Sequence, residues 1–330
     1  MKELLRRLTE TYGPSGSEEQ IRAAIDAELD GLVDSRSVDA LGNLIAIKRG
    51  TGGGRRVMLA AHMDEIGVIA THVDKKGFVR FLPVGGIDPL TLLGGRVAFA
   101  GGLAGVIGVE KLESRKEAPG VDRFYIDVGA TSKEDCPVRV GDTAVFFRPF
   151  AGAGSRMIAK AMDDRVGCVV VLETLRRLKA APHDVYAVFT VQEEIGLRGA
   201  QTSAFGIDPE FALAVDVTTT GDTPEARVMA VSLGEGPAIK VKDSGMLAHA
   251  GVKDLLIRTA EREGIPYQLE VLSGGTTDAM AVQVTRSGIP TGVVSIPCRY
   301  VHTNSEVIER SDVENAVKLL VGVLSSPIAL

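Results

Sequence analysis

The spacing of hydrophobic and polar positions changes twice along the chain. Ile21, Ala24, Ile25 and Leu29 recur at the three- and four-residue interval of a helix face. Ser17 ahead of them, with Gln20 three residues on, reads as a capping box that starts this helix. Strand-like runs follow at 43–48 and 56–61, separated by a turn-rich stretch at 50–54. Across 68–153 the texture differs. Short alternating runs at 77–82, 96–100, 124–128 and 143–147 are broken by Gly and Pro, with no helical stripe between them. That pattern predicts a small β barrel or sandwich. Helix and strand then alternate again. Val166, Val169, Val170, Leu175 and Leu178 form a helical face, followed by strands at 185–191 and 211–217. A helix at 248–263, strands at 267–272 and 291–297, and a last amphipathic helix at 313–324 complete the chain. The economical reading is an α/β domain over residues 1–67 and 154–330, interrupted by a β-rich insertion over 68–153.

Composition narrows the function. A formal net charge of -6 disfavours a nucleic-acid groove, which needs a basic face. No apolar run of about 18 residues appears, so no membrane span is expected. The N-terminus, MKELLRRLTE, lacks the apolar core of a secretory signal. Cys136, Cys168 and Cys298 are too few and too scattered for a disulfide framework or a cysteine zinc site, which points to a reducing, cytoplasmic setting. The chain has no Trp, and aromatics total 5%, a poor supply of stacking platforms for sugars or single strands.

Candidate chemistry gathers where the predicted strands end. The segments are Ala61-His62-Met63-Asp64, Ala161-Met162-Asp163-Asp164-Arg165, Gln192-Glu193-Glu194, Val215-Asp216-Val217 and Tyr300-Val301-His302-Thr303. Sites in open α/β sheets form at the carboxyl edge of the strands. Imidazole and carboxylate together suit zinc, cobalt or manganese. Two metals about 3.5–4 Å apart need one shared carboxylate and further ligands for each. His62 and Asp64 are two apart, so on a strand they face one way, and Asp64 can accept the second ring N–H of His62. Adjacent Glu193 and Glu194 diverge, so one can coordinate while the other moves a proton. Taken singly, Asp163-Asp164 is also a plausible helix N-cap, and Glu-Glu pairs commonly sit on solvated helix faces. His72, His183 and His249 read as structural histidines.

These segments resemble the tetrahedral aminopeptidases and bacterial glutamyl aminopeptidases, dinuclear metallopeptidases some of which have been labelled deblocking aminopeptidases or cellulase M. The matching stretches are AHMDEIG (61–67), AKAMDDRVG (159–167), VQEEIGLRGA (191–200), DVTTTGDTP (216–224), GGTTDA (274–279) and RYVHTNSE (299–306). The resemblance implies that Asp163 bridges two divalent metals, that His62 and Asp216 complete one, and that Glu194 and His302 complete the other. It makes Glu193 the general base acting on a water between the metals, and Asp64 the residue that orients His62. It further implies a cis peptide between Asp163 and Asp164, and a mixed-sheet α/β/α catalytic domain carrying a PDZ-like β insertion. Peptide substrates and dimer-based homo-oligomers, up to twelve-subunit tetrahedra, follow from it as well. Thr276 departs from the glycine expected there and bears on a supporting loop.

The reading from residues and resemblance is therefore a two-metal aminopeptidase. Three rivals are weighed against it: an amidohydrolase or deacylase on the same scaffold, a glucanase, and a non-catalytic assembly protein. A glucanase needs two carboxyls flanking the bond and usually aromatic sugar platforms, which this chain supplies poorly. A decayed assembly protein would not be expected to keep base and ligands together.

Overall fold

The computed structural model describes residues 1–112 and 118–330. Helices α1 (Lys2–Glu10) and α2 (Glu19–Glu28) precede strands β1 (Ser35–Val38), β2 (Leu44–Lys48) and β3 (Arg56–His62). The insertion supplies β4 (Gly67–Val73), β5 (Val79–Val84), β6 (Arg96–Phe99), β7 (Ala104–Val109), β8 (Phe124–Asp127) and β9 (Thr143–Phe146). Then come β10 (Ala151–Ala153), β11 (Arg156–Ala159), α3 (Met162–Arg177), β12 (Asp184–Thr190), α4 (Arg198–Ile207) and β13 (Phe211–Thr218). The chain continues through β14 (Ala238–Lys242), α5 (Ala250–Glu263), β15 (Gln268–Val271), α6 (Asp278–Gln283), β16 (Thr291–Arg299), β17 (Glu306–Glu309) and α7 (Arg310–Leu324).

Among the described residues, eleven strands make one mixed sheet, in the order β1-β2-β12-β3-β13-β16-β17-β11-β10 with β14 and β15 branching from β16. Strands β12, β3, β13 and β16 run parallel at its centre. Each therefore needs a cover on both faces. Alternation along β3 shows how that is met. Val57, Leu59 and Ala61 pack into the large core shared with α3 and α7, while Met58 and Ala60 meet Ala200, Ala204 and Val282 from α4 and α6. The result is a three-layer α/β/α sandwich. Strand β13 is buried at all eight positions, which is why it reads as a continuous apolar run.

The insertion closes into a separate antiparallel barrel, β4-β5-β8-β7-β6-β9, around Val68, Val79, Phe81, Val97, Ile107, Ile126 and Phe146. Closure removes the exposed edges that an open sheet of these strands would present. Strand β10 pairs with β11 and belongs to the large sheet.

The capping-box expectation at Ser17 is corrected. Helix α2 starts at Glu19 with Glu18 in the cap position, and no side chain caps it. Ser17 Oγ turns instead to Thr143 Oγ1, 3.3 Å away across the barrel junction. Glu18 is drawn off by other backbone donors: its Oε1 accepts from Gly16 N–H (2.7 Å) and Gln192 N–H (3.2 Å).

Beneath the sheet edge, Arg165 is fully buried and holds the N-terminal segment down. It donates to the carbonyls of Leu8 (2.7 Å), Thr11 (3.1 Å) and Gly13 (3.2 Å) and to the Glu65 carboxylate (3.3 Å). Lys160 completes this buried cluster, 2.5 Å from Glu65 Oε2. Paired charges are the form in which ions are tolerated in a core. No described helix is long and apolar enough to cross a membrane.

Candidate metal centre

The parallel strands deliver their chemistry to one edge. His62 ends β3, Asp216 lies near the end of β13, and Glu193-Glu194 follow β12. His302 sits in the turn between β16 and β17, and Asp163 lies where β11 passes into α3. The turns are tight. Ala161, Gln192, Tyr300 and His302 all have φ between 52° and 62°, a left-handed conformation that non-glycine residues adopt only when the surroundings hold them there. The Asp163–Asp164 peptide is cis.

Asp163 stands at the middle of the cluster. Its Oδ1 is 2.9 Å from His62 Nε2, and its Oδ2 is 3.4 Å from His302 Nε2. Glu194 Oε2 approaches His302 Nε2 from the other side at 3.2 Å. Asp216 Oδ1 and Glu193 Oε2 lie 4.0 and 3.9 Å from His62 Nε2. Two donor sets emerge, each with atoms within 4.8 Å of one another: His62, Asp163 and Glu194, and His62, Asp164 and Asp216. In the second set Asp164 competes with Asp163. Asp164 Oδ1 already accepts from Gly167 N–H at 3.0 Å, closing the first turn of α3. Asp163 spreads its two oxygens between the two imidazoles and is the better-placed donor.

Charge balance supports the same conclusion. Burial, with the carboxylates of Asp216 and Glu194 adding to it, pushes the Glu193 carboxyl well above its ordinary range. Burial and then Asp163 do the same to Asp216. Burial also raises Glu194. Asp163 goes the other way, because the imidazoles beside it overcome burial. Burial pulls His62 and His302 down, but the surrounding carboxylates prevail and raise both, His302 to about 12. Glu194 Oε1, Asp164 Oδ2 and His62 Nδ1 are buried without a hydrogen-bond partner. A cluster with this many buried acids, two of their oxygens and one imidazole nitrogen without a partner, lacks positive charge. The donor set is the N,O type that zinc, cobalt and manganese accept, so the residues fit divalent cations.

Asp64 does more than the sequence suggested, and partly something else. Its Oδ1 lies 3.4 Å from His62 Nδ1, close to the ring nitrogen but too long for a firm hydrogen bond. Its short contacts go elsewhere. Asp64 accepts from Glu193 N–H (3.0 Å), Glu194 N–H (3.2 Å) and Ser15 Oγ (2.6 Å). Asp64 therefore fixes the turn that splits Glu193 from Glu194.

Sequence reasoning missed several supports of the site. Asn43 donates to Gly199 O (3.0 Å) and accepts from Val191 N–H (3.0 Å), tying β12 to α4. A Cβ on Gly199 would meet Asn43 Oδ1 at 2.2 Å, so only glycine fits. From the barrel, the loop after β5 reaches the centre, and a Cβ on Gly86 would sit 2.8 Å from His302 Nδ1. A glycine pair directly after a strand, in 83–86, was the available signal. His183 is buried and accepts from Arg55 N–H at 3.0 Å, outside the site.

Beside the centre opens a cavity of about 700 Å³. Leu197, Val217, Leu272, Met280 and Val301 contribute apolar wall. Lys240 also lines it, but its ammonium is matched by Glu270 (2.8 Å) and Asp243 (3.5 Å).

An α/β/α sandwich with buried carboxylates and two imidazoles at its parallel strand ends, beside an open cavity, is the framework of a metal-dependent hydrolase. The chain belongs to the M42 glutamyl aminopeptidase family, whose sequence profile matches residues 42–319. It is a metal-dependent aminopeptidase, hydrolysing peptide bonds. A putative aminopeptidase of Acetivibrio thermocellus is 49% identical over 324 residues, 97% of each chain. The aminopeptidase APDkam598 of the archaeon Desulfurococcus kamchatkensis superposes with a TM-score of 0.95 at 42% identity, covering 99% of this chain and 94% of that one. The TET1 peptidase of Pyrococcus horikoshii, which can assemble into a tetrahedron or a large octahedral shell, gives 0.87 at 35% identity over 98% of both chains.

Proposed function

We propose that the chain removes N-terminal residues from peptides using two divalent cations, one held by His62, Asp163 and Asp216 and the other by Asp163, Glu194 and His302. The carrying observation is Asp163, whose two oxygens face the two imidazoles separately. Cations bound there supply Lewis acidity, polarising the scissile carbonyl and making a water beside it more acidic. Zinc is the proposed metal, with cobalt and manganese compatible with the same donors.

Glu193 is the proton carrier. Its carboxylate lines the cavity beside His62, 3.9 Å from Nε2, and among the described residues it pairs with neither His302 nor Asp163, which leaves it free to exchange a proton. It takes the proton from the attacking water and returns it to the leaving amine. Asp64 holds the backbone N–H groups of Glu193 and Glu194 together, so that one carboxylate serves as base while its neighbour coordinates. Glu193→Gln is expected to keep both cations and lose turnover by about 10²–10⁴-fold. Metal content by elemental analysis and kcat on an aminoacyl anilide check this, and near-normal kcat contradicts it.

The apolar wall and the matched charge of Lys240 favour a neutral aliphatic first residue such as Leu or Met, against Arg227, which also lines the cavity, forms no ion pair among the described residues and would favour an acidic one. On a panel of aminoacyl anilides, kcat/KM for Leu should exceed that for Glu and Lys. A preference for Glu or Lys overturns this part. Cytoplasmic residence and a dimer-based homo-oligomer are part of the same proposal. So is a division at 68–153, with the barrel serving assembly and substrate access. The ability of the Pyrococcus horikoshii relative to assemble into a tetrahedron or an octahedral shell supports the oligomer.

A further inference from the structure

Glu306 begins β17, four residues after His302, and its side chain is 2% exposed. Its two oxygens go to two different segments. Oε2 accepts from Asp163 N–H at 3.1 Å, and Oε1 accepts from His302 N–H at 2.8 Å. Among the described residues it forms no ion pair. A buried carboxylate with no cation partner is costly unless its acceptor capacity is used, and here it goes to the backbones of two side chains at the centre. One of them, His302, has φ 62°, a conformation an L-residue holds only under constraint. The other, Asp163, lies at the break where the chain enters α3, with φ -75° and ψ 106° inside an otherwise helical segment.

We propose that Glu306 is a positioning residue that sets the spacing between Asp163 and His302, and so governs the cation position they share with Glu194. This rests on the ligand reading above. Glu306 touches neither substrate nor, in this arrangement, the cations. It acts through the peptide N–H groups of the residues that do. The other proposed position, between His62 and Asp216, draws on Glu306 only through the shared Asp163. Its other residues are fixed by β3 and β13, which Glu306 does not contact by hydrogen bond. The two positions should therefore respond unequally when Glu306 is altered.

The chemistry of the amide makes the test clean. Glu306→Gln keeps the size but offers one acceptor oxygen, so its NH2 must face either Asp163 N–H or His302 N–H, donor against donor. Glu306→Asp keeps both acceptors on a shorter arm. Metal-stripped wild type, Glu306→Gln, Glu306→Asp and His302→Ala are titrated with zinc by calorimetry. Thermal melting of each stripped protein is followed in parallel.

The expected result is two tight zinc ions for wild type and one for His302→Ala. Glu306→Gln should then keep one site at wild-type affinity and weaken the other on the order of 10–100-fold, as loss of a partner behind a ligand does. Its stripped form should melt close to wild type. If Glu306→Gln does not fold, the same unequal loss is expected of Glu306→Asp, at smaller size. Two zinc ions at wild-type affinity in the folded Glu306 variant overturn the positioning role, as does equal weakening of both sites. If instead wild type takes up fewer than two ions, or His302→Ala keeps both, the ligand assignment itself fails. That failure is distinct from the failure of Glu306.

Discussion

A single carboxylate oxygen carries a surprising share of the order near the site. Glu18 Oε1 accepts from both Gly16 and Gln192, the residue just before the Glu193-Glu194 pair. Burial raises the Glu18 carboxyl from 4.5 to about 7, with the Asp64 charge acting in the same direction and the backbone donors against it. An acid whose folded pKa is raised binds its proton more readily folded than unfolded, so the folded state is relatively weakened as pH rises from about 4.5 to about 7. Glu18→Gln keeps the one oxygen in use and removes the buried charge. Its Tm should exceed that of wild type by a few degrees at pH 8, and the gap should close by pH 4. An equal Tm at pH 8 would mean that the carboxylate is ionised there without penalty. Residues of this kind are hard to read from sequence. Ser17 and Gln20 have the letters of a capping box, yet one competing backbone donor, Gln192 N–H, lies more than 170 residues away, and the partner of Ser17, Thr143, lies 126 away. The ligand candidates were legible because a run of apolar residues ends abruptly in an ionisable one. Glu306 closes the stretch RYVHTNSE but drew no assignment, since the peptide N–H groups it accepts from have no letter in the sequence.

Elements were legible in proportion to their length and burial. Strands β3, β12, β13 and β16 announced themselves as apolar runs, because both their faces are covered. Helix α4, with the sequence RGAQTSAFGI, and the six-residue α6 did not, since small and polar residues blur the helical stripe. Strands β1 (SRSV) and β17 (EVIE) did not either, because β1 is exposed at all four positions and β17 buries two glutamates, so neither shows apolar alternation. The barrel was visible as a change of texture, but its reach into the metal centre was not, because that contact depends on glycine lacking a side chain. Gly86→Ala tests it. The added methyl would lie 2.8 Å from His302 Nδ1, so the ring must move. The variant should fold, as the barrel core is untouched, while kcat on an aminoacyl anilide falls at least about tenfold, the scale of a ligand displaced by a fraction of an ångström. Wild-type kcat would show that the loop yields instead of the imidazole.

At the scale of the whole molecule, the sheet brings together side chains separated by up to 240 positions in sequence, from His62 to His302. The N-terminal segment, pinned by Arg165, and the barrel, through Gly86, close on this edge from different sides. Both additions leave the cavity beside the centre open, with room for a peptide terminus. The central claim is that this edge holds two cations astride Asp163. A crystal of the protein grown with zinc, with diffraction recorded on both sides of the zinc absorption edge, addresses it directly. Two anomalous peaks are expected about 3.5–4 Å apart, flanking Asp163, one beside His62 and Asp216 and the other beside Glu194 and His302. A single peak, or a pair coordinated by Asp164 in place of Asp163, would contradict it.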